Sequence, residues 1–205
     1  RTVWDIFMLD YQIPDPLLAI VHSAALDKYK MVFSLLFGLK KVEFMLNFTW
    51  RQSATLQHGL HTYAQYNRIP TSTSKGYTQA SLLLRQISIL RQSMIHLIVN
   101  LKSYLMFEVL EGGWRRLESE IEAAITLDEV IEAHDRYLNG IVRKSLLRTD
   151  MEDIAQQQLA EQVQTLLGIT GEFCDLQERL FHDALVAADI AAEKRVEADR
   201  RVEQG

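Results

Sequence analysis

The stretch "FEVLEGGW", residues 107–114, sets two carboxylates, Glu108 and Glu111, three positions apart at the end of a long apolar run. On a helix that spacing puts both on one face. Such a pair can exchange protons, supply half of a metal site, or mark a helix end. A di-metal bundle also needs Glu-x-x-His pairs, but the residues three beyond Glu108 and Glu111 are Glu111 and Trp114. A carboxylate near a helix C-terminus opposes the helix dipole, so a cation from another helix or a bound partner must offset it. The pair reads as an internal salt bridge or polar anchor, with partner contact as the alternative and catalysis disfavoured.

The remaining reactive residue types lead the same way. His58 and His61 have i,i+3 spacing but no third ligand nearby, which suits a polar helix face. His134 shares a helical face with Val130, Ile131, Leu138 and Ile141, as a buried histidine bonded to backbone or carboxylate would. His96 and Asn100 suggest a polar network inside the core. Cys174, the sole cysteine, excludes an internal disulfide framework, fits a reducing compartment, and reads as core rather than nucleophile. Nucleophile-elbow, phosphate-loop and dinucleotide patterns are all missing. No catalytic, cofactor-binding or metal-ligating residue is assigned, and no cofactor is expected.

The elements that carry these residues are set by periodicity. Only 9 Gly and 3 Pro in 205 residues favour long helices. Phe7, Leu9, Tyr11 and Ile13 alternate as in a half-buried extended segment, closed by "PDP" before a short helix. Residues 24–65 form one long helix, with Gly59 a candidate break. Val32, Leu35, Leu39, Val42, Leu46 and Trp50 make one stripe, and Leu26, Tyr29, Phe33 and Leu36 a second. Residues 67–77 are a loop. A second long helix spans 78–111, with a stripe at Ile87, Leu90, Met94, Leu97, Leu101 and Leu105. Gly112 and Gly113 stop it, and Trp114 opens a third helix. "TLDE" at 126–129 and "TDME" at 149–152 are capping boxes starting the last two helices, the final one with a candidate break at "GITG" (168–171). Trp50, Tyr104, Phe107 and Trp114, at helical spacing, are expected in the core more than at contacts. The predicted fold is all-α, an elongated bundle of long helices with a short extended N-terminal segment.

The apolar runs are interrupted by Lys, Arg, His or Asp before 18 residues, so no membrane span is expected. The chain opens mid-pattern without Met or a leader-like segment and reads as part of something longer. Net charge is −5, yet residues 1–102 carry 11 Lys/Arg against 5 Asp/Glu, and residues 103–205 carry 11 against 22. The basic half suits an acidic partner or is solvated helix surface. Without Lys/Arg runs interleaved with aromatics, nucleic acid is not expected.

Four segments in order, "FMLDYQIPDPLLAIV", "LDKYKMVFSLLFGLKKVEFML", "LRQSMIHLIVNLKSYLMFEVLEGGW" and "LDEVIEAHDRYLNGIVRKSLL", resemble the γ-tubulin complex protein family, closest to its component-3 branch. The resemblance covers residues 4–148 well and 150–183 loosely. It rests on Phe7, Asp10, Tyr11, Pro16 and Leu17, then Tyr29, Phe33, Leu36, Val42 and Glu43, then Phe107 to Glu111 with Trp114, and finally Ala133, His134 and Leu138. It implies that residues 1–183 belong to a C-terminal γ-tubulin-binding helical domain, with 184–205 a polar helical or frayed tail. The implied function is to bind γ-tubulin and present it as a template for microtubule nucleation at an organising centre or spindle pole, in the cytoplasm and cytoskeleton. A component-2-like subunit is the other implied partner. The alternative is a helical module that packs only against other subunits. The resemblance implies no enzyme activity, and GTP would belong to γ-tubulin. Asp10, Tyr11, Gln12, Arg51, Glu108, Glu111 and Trp114 are the expected protein-binding residues.

Overall fold

The computed structural model describes residues 7–10, 12–68, 74–145 and 154–203. The helices are α1 (Asp15–Leu18), α2 (Ser23–Tyr66), α3 (Lys75–Ser103), a π-helical segment (Tyr104–Glu111), α4 (Gly112–Ala123), α5 (Leu127–Lys144) and α6 (Ile154–Glu203). No strand occurs among the described residues, and the fold is all-α. The chain packs as two units. One is Arg1–Glu43 with His96–Gly168, and the other is Phe44–Ile95 with Ile169–Gly205.

Residues 7–10 and 12–14 are neither helix nor strand, and Pro14 is extended at φ −67° and ψ 146°. The expected alternation of burial is absent, since Phe7, Met8, Leu9 and Asp10 are all exposed and Ile13 is half-buried. An extended segment without a paired strand has no sheet faces to alternate between. Phe7 is anchored on α2, with its ring 6.2 Å from Phe33 and 5.2 Å from Phe37. Tyr11 lies outside the described residues.

In the first unit, Val32, Leu39 and Val42 of α2 are buried, as their spacing requires. In the second, Leu46 continues the stripe, but Trp50 does not, being 53% exposed. A 3.6-residue period sets both Thr49 and Trp50 beside Leu46. The smaller residue faces inward, and the buried face runs on through Thr49, Gln52 and Ser53. The Ser53 hydroxyl donates to Gln177 Oε1 of α6 at 3.0 Å. Cys174 is buried in this unit, and desolvation pushes its thiol up to about 11. That makes it an inert core residue. Gly59 does not break α2, and "GITG" does not break α6, which runs on through the polar tail to Glu203.

The helix expected from residue 78 starts at Lys75, where the Tyr77 backbone N–H donates to the Ser74 hydroxyl at 3.5 Å. Its buried face is also rotated from expectation. Leu84 in one unit, and Ile98 and Leu105 in the other, are buried, whereas Leu90 and Leu97 are exposed. Most importantly, Gly112 and Gly113 do not end it. Gly112 is right-handed helical, φ −63° and ψ −35°, and helix is continuous from Lys75 to Ala123. Glycine stops a helix when it supplies a left-handed residue, which neither does here.

By length and composition this helix could cross a membrane, contrary to expectation. Its most apolar 18-residue window has mean hydropathy 1.2, with 11% of that window buried. Isolated charges such as Arg91 and Lys102 dilute the apolar character without abolishing it. The Thr126/Glu129 capping box forms as expected, with the Glu129 N–H donating to Thr126 Oγ1 and the Glu129 carboxylate accepting from Thr126 N–H. The box expected at 149–152 lies outside the described residues.

Candidate functional site

The π segment, Tyr104–Glu111, interrupts an otherwise α-helical path, and nothing in its sequence, free of Gly and Pro, demands the wider turn. At its C-terminal end the Gly112 N–H reaches back to the Phe107 carbonyl, five residues earlier. Such i→i+5 turns are rare and frequently mark functional sites. Leu105 and Val109 fill its inward face.

Both ends of the segment are pinned. Ahead of it, Lys102 donates to Glu43 Oε1 and Oε2 at 3.0 and 2.9 Å, and Lys40 donates to Oε2 at 3.1 Å. The Lys102 bond holds the Glu43 carboxyl below its ordinary range, with Lys40 adding to it against partial burial. The Tyr104 hydroxyl donates to the Lys144 carbonyl at 3.3 Å, giving a partner to one of the carbonyls a helix C-terminus leaves unpaired. Behind the segment, a Cβ on Gly113 would stand 3.1 Å from Cε2 of Tyr137, so any side chain there would push the ring off the backbone by a few tenths of an ångström. Tyr137 meets Trp114 edge-on at 6.3 Å.

Between these anchors lies an open groove of about 540 Å³, lined by Met106, Phe107, Leu110, Glu111, Trp114 and Tyr137, with Lys102 and Ser103 at one end. Phe107 is 65% exposed and Trp114 52%. The aromatics expected in the core, Trp50, Tyr104, Phe107 and Trp114, are therefore all exposed. Tyr and Trp with an apolar body and a polar tip suit a protein contact, and methionine adapts to irregular partners.

The expected contact residues fall in different places. Glu111 and Trp114 share the groove. Glu108 is exposed on the same segment, but the wider π turn makes side chains three apart diverge more than in an α-helix. Neither carboxylate sits at a helix end. The cation near Glu111 is Arg115 of the same helical path, not an Arg from another helix. Asp10 is exposed and lies 3.5 Å from Lys30, and Gln12 is exposed. Arg51 is exposed in the second unit. Sequence reasoning missed Met106 and Leu110, although their four-residue spacing to each other and to Trp114 is an apolar row in plain view. It also missed the Glu43–Lys102 pair.

No group of three His, Cys, Asp or Glu that could hold a metal occurs among the described residues. His58 and His61 are exposed, and His61 bonds to Gln65. His96 and Asn100 bond to each other on the surface, not in the core. His134 is buried as expected, but its partner at Nε2 is the Tyr29 hydroxyl, 3.0 Å away, rather than backbone or carboxylate.

A family model described as gamma tubulin complex component C-terminal matches residues 1–204. The chain belongs to this family. It is 36% identical over 153 residues to gamma-tubulin complex component 3 of Arabidopsis thaliana, covering 75% of this chain and 18% of that protein. It is 33% identical over 186 residues to spindle pole body component 98 of Dictyostelium discoideum, covering 87% of this chain and 20% of that protein. Mouse gamma-tubulin complex component 2 is 31% identical over 142 residues, 69% of this chain and 14% of its own length. The chain thus spans about a fifth of the length of the curated relatives it matches. Within this γ-tubulin complex component region, residues that carried the resemblance fall into bonded positions: Tyr29 on His134, Glu43 on Lys102, and Trp114 beside Tyr137.

Proposed function

We propose that this chain is the part of a γ-tubulin complex subunit that holds γ-tubulin, and that the groove around Met106, Phe107, Leu110 and Trp114 is a principal contact. The observation that carries the reading is an exposed aromatic surface on a helical turn pinned at both ends, in a chain of this family. Aromatic anchors dominate binding energy at protein interfaces, and a rigid platform loses little freedom on binding.

Positioning suffices for the work. Nucleating a polymer is slow because each early subunit loses translational and rotational freedom, about 4–15 kcal/mol per association. A scaffold that holds several γ-tubulins side by side raises their effective concentration and needs no catalytic residue or nucleotide of its own. Component-2-like subunits are the proposed neighbours, and an organising centre or spindle pole in the cytoplasm is the proposed place. Asp10 and Gln12 are proposed as peripheral contacts. Basic residues of the first half, Arg51 among them, steer an acidic partner toward the subunit.

The test is co-precipitation of purified γ-tubulin with the full-length subunit carrying Phe107→Ser and Trp114→Ser. A loss of at least about tenfold in affinity, with helicity retained, is expected from removing two hot-spot aromatics. Undiminished γ-tubulin binding with loss of the component-2-like subunit instead assigns the groove to packing between subunits.

A further inference from the structure

The geometry points to a second binding site, independent of the γ-tubulin reading: a cleft between α4 and α5 that takes an acidic peptide segment bearing an apolar anchor. The cleft measures about 410 Å³ and is lined by residues 109–144, within one unit. Its rim carries four cations, Arg116, Arg136, Arg143 and Lys144. Arg136 is already engaged, donating to Glu120 Oε2 at 3.1 Å and lying 3.6 Å from Glu132. The Arg116, Arg143 and Lys144 side chains are exposed and make no ion pair with any described residue. The helix dipole explains basic residues in the last turn of α5, but Arg116 lies inside a continuous helix and has no such reason to be there.

The floor is apolar and open. Leu117 and Ile141 are buried beneath it. Gly140 also lines it, and a Cβ there would have nothing within 4 Å. The cleft therefore leaves open space beside Gly140 into which a ligand side chain can reach. Glu120 and Asn139 add acceptors among the cations. Glu120 and Asn139 can accept from peptide N–H groups, which a free inorganic anion lacks, and the apolar floor suits a side chain, so the mixed rim favours a peptide segment. Three cations beside one cleft, without an ion-pair partner among the described residues, repel each other, and ligand carboxylates relieve that repulsion.

The test is fluorescence anisotropy of a fluorescein-labelled peptide with glutamates flanking one leucine, titrated with the full chain. Saturable binding is expected, weakened about tenfold or more by Arg116→Glu with Arg143→Glu. Gly140→Leu, which fills the floor and changes no charge, should weaken it similarly, and so should serine in place of the peptide leucine. Circular dichroism checks folding, and Gly140→Ala provides a smaller plug should the leucine distort the helix. Binding that ignores both glycine variants overturns the proposal, because it is then surface charge alone. A single-stranded oligonucleotide that binds with the same sensitivity to Gly140→Leu, where the peptide does not bind, also overturns it.

Discussion

Tyr29 of α2 and His134 of α5, 105 positions apart, share a hydrogen bond of 3.0 Å between Oη and Nε2. Burial pushes the phenol up to about 12, with Tyr137 adding to the shift, so it is neutral at pH 7. Burial also lowers the His134 pKa. Asp135 and the Ile20 backbone oppose that shift, while His22 and Lys28 reinforce it. Among the described residues, no hydrogen bond of ordinary geometry reaches Nδ1. A histidine with a depressed folded pKa binds fewer protons folded than unfolded. Its contribution is present above the unfolded value of about 6.5 and is lost as pH falls through the folded value. Urea midpoints should therefore drop as pH falls below about 6.5, and His134→Gln should flatten that slope. Tyr29→Phe leaves Nε2 unpaired and should cost about 1–2 kcal/mol.

The Glu43–Lys102 pair titrates lower. Its carboxyl is held below 4.5, so its contribution is intact above that pH and disappears as acidification passes through the folded pKa. Lys102→Met leaves Glu43 with only Lys40. The Lys102 side chain is 34% exposed, which limits the cost to about 1 kcal/mol by thermal or urea melting. Because Lys102 directly precedes the π segment, faster amide exchange across residues 104–111 should accompany the loss.

Two glycines should respond with opposite signs. Gly140→Ala adds a methyl with nothing within 4 Å and should stabilise α5 by about 0.5–1 kcal/mol. Gly113→Ala drives a methyl to 3.1 Å from the Tyr137 ring and 3.4 Å from Ile141. It should destabilise by about 1–3 kcal/mol despite the better helix former. Paired melting curves decide the matter, and equal shifts would contradict the close approach of Tyr137.

In the second unit, Ser53 and Gln177 form a buried pair, 124 positions apart. Ser53→Ala strands the glutamine and Gln177→Leu strands the hydroxyl. Each should cost about 1–3 kcal/mol, while the double variant should cost less than the sum. A double-mutant cycle with zero coupling would show that the bond contributes nothing net.

Much of the fold is legible in the sequence. The 3.6-residue stripe of α2, the Thr126 capping box and the burial of His134 can be read from spacing alone. The Gly112–Gly113 doublet misleads because a glycine after an apolar run reads as a helix end. Its actual reason, the ring of Tyr137, sits 24 positions beyond Gly113. The buried face of α3 misleads because apolar residues line more than one side, so Leu97 and Ile98 compete, and only packing chooses Ile98. The π segment leaves no mark in composition. Glu111 and Trp114 could be singled out by type, but the groove they share depends on the Tyr137 side chain of α5 and on that wider turn.

The wide turn also bears on how the chain tolerates change in length. Deleting one residue from an ordinary α-helix swings everything downstream around the axis by about a quarter of a turn or more. Within Tyr104–Glu111 the same deletion can be absorbed by reverting from five-residue to four-residue hydrogen bonding. Leu117 and its C-terminal neighbours then keep their aim. Along the 49 residues from Lys75 to Ala123, this is where a codon can be lost with the least disturbance to the rest of the helix.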